Sequence, residues 1–139
     1  QDQRILEIAS DLATAGIPVE PVHRKQLDSL FKGGNHQGIV IEVRLPREKT
    51  EKDLCEAIDS TSGAPFYLVL DQVQDPHNLG ACLRTSDAVG VHGIITPRDN
   101  ATGITPAVCK VASGAAETIP VYRVTNLART LRQMKKSGL

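Results

Sequence analysis

Residues 66–90 read FYLVLDQVQDPHNLGACLRTSDAVG, and the fold follows from how this stretch is read. Phe66 to Leu70 is an unbroken apolar run of strand formers stopped by Asp71, the pattern of a strand buried on both faces in a parallel sheet. A loop over Gln72 to His77 follows, in which Asp75-Pro76 signals a turn and Pro76 biases Asp75 away from helical geometry. Asn78 is then the expected N-cap of a helix. Leu79, Cys82, Leu83, Ser86 and Val89 recur at helical spacing and form its packing side, leaving Gly80, Arg84 and Asp87 on the other. This order puts Asn78, the N–H groups beside Gly80, and Arg84 on a rim above the carboxyl end of the strand, where open α/β sheets bind ligands. Gly80 permits close approach, a helix N-terminus favours an anion, and Arg84 offers a planar fork suited to phosphate. Singly, each has an ordinary structural explanation, a cap or a solvated arginine. Asp-Pro-x-Asn-x-Gly with an Arg six residues after the Asn is a much narrower pattern.

Upstream, Ile5, Ile8, Ala9 and Leu12 have helical spacing within residues 1–15, with Gly16 to end the helix. Ile17 to Val22 reads as a short edge strand because of Pro18 and Pro21. A helix over His23 to Phe31 is expected to bury Leu27, Leu30 and Phe31. The polar loop Gly33-Gly34-Asn35-His36-Gln37-Gly38 leads into a strand over Ile39 to Val43. This small α/β unit is too short to bury much core alone and opens without Met, so it reads as part of a larger domain. The boundaries drawn from this pattern are 1–44 for the first domain, 45–50 for a charged linker and 51–139 for the second. Thr50 and Asp53 form a capping box for a helix over Glu51 to Asp59, packed through Leu54, Cys55 and Ile58.

Downstream, Val91 to Thr96 is a second strand closed by Pro97. Thr105 to Ala112 is a helix with Pro106 in its first turn. Ser113 to Glu117 is a small-residue turn packed closely, and Ile119 to Val124 is a third strand. Asn126 caps a last helix packed through Leu127, Leu131 and Met134 and ended by Gly138, with Leu139 read as opening a further strand. Strands alternating with helices imply right-handed crossovers and a parallel sheet.

The chain has 139 residues, 40% hydrophobic and 23% charged, with 16 basic and 16 acidic side chains in balance. That composition is globular, with no apolar run near the ~20 residues of a membrane helix and no signal peptide, so the chain reads as cytoplasmic. Cys55, Cys82 and Cys109 form no CxxC pair and read as buried free thiols, and the four histidines lack ligand spacing, so no metal is expected. Zero net charge argues against nucleic acid at first sight, yet basic residues cluster at His23-Arg24-Lys25 with Lys32 and His36, and again over Arg123 to Lys136. In the second cluster Arg132, Lys135 and Lys136 are better explained as cations complementing the last turns of a helix.

The run Asp71-Gln-Val73-Gln-Asp75-Pro76-His-Asn78-Leu-Gly80-Ala-Cys-Leu-Arg84 resembles the first motif, DxVxDPxNxGxxxR, of the SpoU/TrmH (SPOUT) family of RNA ribose 2′-O-methyltransferases. HQGIVIEVR (His36 to Arg44), GACLRTSDAVGVHGII (Gly80 to Ile95) and KVASGAAETIPVYRVTNLARTLR (Lys110 to Arg132) extend the likeness over nearly the whole chain. The resemblance implies an α/β fold: an incomplete ribosomal-protein L30e-like substrate-binding domain, then the first part of an α/β-knot domain with a parallel sheet. It implies methylation of a guanosine ribose 2′-OH in 23S ribosomal RNA by a homodimer using S-adenosylmethionine. Arg84 and Asn78 match the family's catalytic positions, Glu117 is a supporting candidate, and RNA contacts are expected at Arg24, Lys25, His36 and Lys110. The Gly-Glu-rich second motif and the Ser-Leu-Asn third motif, which build the cofactor knot, do not occur in these residues. The 139 residues alone are therefore expected to lack activity, with an unpaired sheet edge prone to association. Two alternatives are a non-catalytic RNA-binding module and a phosphate-handling enzyme using Asp71 and Asp75, the latter without a P-loop.

Overall fold

In the computed structural model, which describes residues 2–32 and 35–139, the chain divides into two compact units, Gln1–Val43 and Arg44–Leu139. The first unit carries α1 (Gln3–Thr14) and α2 (Arg24–Leu30). The Asp2 carboxylate accepts from the N–H of Arg4 at 3.1 Å to open α1. The helix closes with Gly16 at φ 73°, its N–H donating to the Ala13 carbonyl and that of Ile17 to the Leu12 carbonyl, the Schellman arrangement that glycine permits. Neither strand expected in this unit, Ile17 to Val22 or Ile39 to Val43, forms. A strand exists by pairing, and Pro18 and Pro21 have no N–H to offer a ladder. Leu27 is half-buried, but Leu30 and Phe31 are 70% and 48% exposed, a correction to their expected burial. Gly33 and Gly34 of the polar loop lie outside the described residues.

The second unit is built on four parallel strands in the order β1-β4-β3-β2. These are β1 (Lys49–Thr50), β2 (Tyr67–Val69), β3 (Gly93–Pro97) and β4 (Val121–Val124). The helices are α3 (Glu51–Ser60), α4 (Pro76–Val89), α5 (Pro106–Ala112), α6 (Ala115–Thr118) and α7 (Leu127–Lys136). Side-chain alternation along β3 and β4 splits the core in two. Ile94 and Val121 pack with Leu79, Leu83, Val108 and Ala112 of α4 and α5, while Ile95, Tyr122 and Val124 pack with Leu54 and Met134 of α3 and α7. Helices thus cover both faces, as a parallel sheet requires.

Tyr67–Val69 is an edge strand among the described residues, paired to β3 alone and only half-buried, with Phe66 51% exposed. A short apolar run does not encode its place in the sheet; β3 and β4 are the strands enclosed on both faces. Lys49 and Thr50, read as the end of a linker, instead pair with Tyr122 and Arg123 as the opposite edge. Thr50 also supplies the expected capping box: its N–H donates to Asp53 Oδ2 at 2.6 Å and its Oγ1 accepts from the Asp53 N–H. The Thr50 N–H, with the Thr50 hydroxyl donating to the same Oδ2 at 2.8 Å, holds the Asp53 carboxyl below the usual carboxylate range. Of the cysteines, Cys55 is exposed and Cys82 and Cys109 are half-buried, all three free, so burial was overestimated for Cys55 in particular.

Candidate functional site

The loops after β2 and β3 form the carboxyl rim of the sheet in the second unit. α4 begins at Pro76, one turn earlier than its hydrophobic spacing suggests, because proline at the first helical position loses no intrahelical bond. The cap is Asp75, whose Oδ1 accepts from the His77 N–H at 2.9 Å. Asn78 therefore stands in the first turn and is not the cap. The second correction concerns Gly80, which is buried: a Cβ there would lie 2.7 Å from the Val111 Cβ and 3.0 Å from the Val108 carbonyl. Gly80 lets α4 and α5 pack closely and does not open the rim to a ligand. Val89, expected on the packing side, is 57% exposed just before Gly90 turns the chain at φ 73°.

Asn78 and Arg84 are both exposed, and among the described residues neither side chain has a hydrogen-bond or ion-pair partner. Six residues on a helix amount to a rise of ~9 Å and a turn of ~120°, so the two side chains leave α4 on different flanks of the buried stripe Leu79-Gly80-Leu83-Ser86. The arrangement suits two separate parts of one extended ligand. Glu117 lies exposed in the single turn of α6, and no bond joins it to Arg84 among the described residues. Burial pushes the Cys109 thiol up, and the Glu117 carboxylate adds to that shift. Glu117 also lines a groove of about 480 Å³ with Arg47, Lys49 and Tyr122.

Lys110 is exposed in the last turn of α5, where its charge complements the helix end. In the first unit Arg24 and Lys25 are exposed at the start of α2. His36 is different: it is only 8% exposed, its Nε2 lies 3.1 Å from Asp28 Oδ1, and its Nδ1 accepts the Gly38 N–H at 2.9 Å. Both ring nitrogens are occupied by the chain itself, so His36 has no free ring nitrogen in this arrangement. Among the described residues no group of three His, Cys, Asp or Glu side chains could hold a metal ion, and no helix is long and apolar enough to cross a membrane.

Sequence reasoning missed Arg123. It sits in β4 with its side chain only 10% exposed, and it donates from Nη1 to the Thr102 carbonyl and from Nη2 to the carbonyls of Arg98 and Ala101. Glu48 approaches its Nε at 3.8 Å and accepts the Ile104 N–H at 2.8 Å. The available signal was a charge inside the apolar run Val121-Tyr122-Arg123-Val124, since a buried guanidinium must be paired.

Comparison with known proteins follows the same division. The model of the SpoU rRNA Methylase family matches residues 65–139, and that for RNA 2′-O ribose methyltransferase substrate binding matches residues 1–49. The chain is 50% identical to the 23S rRNA (guanosine-2′-O-)-methyltransferase RlmB of Yersinia pestis, over 99% of this chain and 56% of that protein. It is 46% identical to the protein of the same name in Vibrio cholerae, over 100% and 56%. With the putative TrmH family tRNA/rRNA methyltransferase YacO of Bacillus subtilis it shares 46%, over 100% and 54%. The chain thus spans just over half the length of these curated relatives. Among solved structures, an rRNA methyltransferase from Sinorhizobium meliloti matches with a TM-score of 0.65 and 25% identity over 95% of this chain and 48% of that one. An AdoMet-bound form matches at 0.61 and 23% over the same shares.

Proposed function

Because the chain belongs to the SpoU rRNA methylase family, we propose that it is the substrate-binding and first-motif portion of an enzyme that methylates a guanosine ribose 2′-OH in 23S ribosomal RNA with S-adenosylmethionine. The names of the relatives support the substrate, and the AdoMet-bound structural neighbour supports the cofactor. In this reading residues 1–44 bind RNA, 45–48 link, and 49–139, from the edge strand onward, carry the chemistry. The observation that carries it is the exposure of Asn78 and Arg84, without a partner among the described residues, on the helix that follows the β2 loop.

The cofactor would supply an electrophilic methyl group. The residues described here do not fit it: no motif residue lines either of the grooves beside α6 and between α3 and α7. What this chain contributes is the nucleophile's side of the reaction. A guanidinium does not deprotonate in proteins, so Arg84 is no base. Its fork clamps the phosphate beside the target nucleotide and polarises the 2′-OH, lowering the cost of losing that proton, while Asn78 on the other flank contacts the ribose. Glu117, lacking a bond to Arg84, is left a supporting part at a subunit contact. Exposed Arg24, Lys25 and Lys110 supply attraction for RNA.

Arg84→Lys tests the clamp. Lysine keeps the charge and loses the bidentate fork, so methyl transfer to 23S RNA by the protein at its natural length should fall tenfold or more, about 1.4 kcal/mol of barrier. Near-parental turnover would sink it. We further read the working enzyme as a cytoplasmic homodimer; ribosomal RNA as the relatives' named substrate supports the compartment, and sedimentation equilibrium reads the assembly directly.

A further inference from the structure

The loop joining β3 to α5 is held far more firmly than a connection requires. Arg98 donates its N–H to the Val124 carbonyl at 2.8 Å and its own carbonyl accepts from Arg123 Nη2 at 2.7 Å. The carbonyls of Ala101 and Thr102 go to the same guanidinium, and the Ile104 N–H goes to Glu48. The Thr102 N–H donates to the Val73 carbonyl at 2.8 Å, which ties this loop to the motif loop after β2. Exposed loops ordinarily leave such groups to water. Here a largely buried guanidinium, expensive unless its donors are satisfied, is committed to three carbonyls of one loop.

What the scaffold presents is the turn Arg98-Asp99-Asn100, all three exposed, with Asn100 at φ 57°. Both backbone polar groups of Arg98 are bonded, yet among the described residues its guanidinium has no carboxylate partner. A cation on a fixed backbone, on the rim that carries the motif, is preorganised for an anion arriving there.

We propose that Arg98 is an RNA-phosphate contact outside the first motif, and that Arg123, with Glu48, is the positioning residue that fixes it. This rests on the reading of the chain as part of an RNA methyltransferase. Arg98 engages a backbone phosphate next to the nucleotide that Arg84 addresses, and Arg123 touches no RNA but fixes the loop through the carbonyls of Arg98, Ala101 and Thr102.

The test is fluorescence anisotropy of a fluorescein-labelled hairpin transcript of 23S rRNA, titrated with the protein at its natural length over a series of salt concentrations. Arg98→Ala should raise Kd by about tenfold at low salt and flatten the log Kd against log salt slope by ~0.7, the share of one single-strand phosphate. Arg123→Gln should raise Kd by a similar factor, and adding Arg98→Ala to it should change little further, because the contact is already lost. Arg123→Lys should not rescue, since one ammonium cannot span three carbonyls. Should Arg123→Gln fold poorly, Glu48→Gln keeps an oxygen for the Ile104 N–H, removes only the charge facing Arg123, and should show the same coupling to Arg98→Ala. If Arg98→Ala binds with parental Kd and slope, the contact is refuted while the methyltransferase reading stands. Additive losses refute the positioning role of Arg123. If the parent protein binds no RNA at any salt, the underlying reading falls with both.

Discussion

The two compact units differ in what they bury. In Arg44–Leu139, apolar side chains fill both sides of the sheet, with Leu54, Leu83, Ile94, Ile95, Val108 and Val124 at 0% exposure. Among the described residues of Gln1–Val43, the one buried side chain is His36, a polar one, while Leu30, Val43 and Leu6 stand more than half exposed. Both units have capped helices with apolar residues at helical spacing. Periodicity makes a helix amphipathic, and only a second surface makes that stripe a core. The sheet is that surface in the second unit.

The largest expected break is therefore Leu83→Ala. Removing a fully buried leucine where α4 meets the sheet should destabilise the second unit by about 3–4 kcal/mol, read as a lower urea midpoint. A loss below about 1 kcal/mol would mean the packing around Leu83 is not as described.

Gly80→Ala sharpens the picture within α4. Alanine is the better helix former by about 1 kcal/mol, which alone predicts stabilisation. The new methyl would meet Val111 at 2.7 Å and the Val108 backbone carbonyl at 3.0 Å, and the carbonyl cannot yield without parting α4 from α5. Overpacking of this kind costs about 1–3 kcal/mol, so the net change should be a loss of roughly 1 kcal/mol. A gain in stability would show that Gly80 serves something other than helix contact.

This separation of local from tertiary effects also explains how much was legible beforehand. The capping box at Thr50 and Asp53 and the cap at Asn126 were readable because each satisfies its helix within three residues, whereas Thr105, read as the first helical residue, is the cap ahead of Pro106. The start of α4 was misread by giving Pro76 to the loop, which moved the cap from Asp75 to Asn78. The candidate pair Asn78 and Arg84 was legible as a motif, and both side chains are exposed. The burial of Gly80 was not, because the residues it meets, Val108 and Val111, lie on another helix. Arg123 was hidden for the same reason: its partners are carbonyls 21 to 25 positions away in a loop whose shape no local pattern encodes. The expected strands Ile17 to Val22 and Ile39 to Val43 had the right residues and no neighbour.

The smallest expected effect tests the first unit. Leu30 closes α2 with 70% of its surface in water, so Leu30→Ala removes little buried area and should change stability by no more than about 0.5 kcal/mol. Measured by urea unfolding under the conditions used for Leu83→Ala, the pair should differ several-fold. If Leu30→Ala instead costs 2 kcal/mol or more, that apolar face is covered in solution, and the contrast between a unit with a core and a unit without one is lost. A near-zero change would keep it, and would place the stabilisation of the first unit in its helix ends and in the His36 bonds to Asp28 and Gly38, where substitution should then be felt.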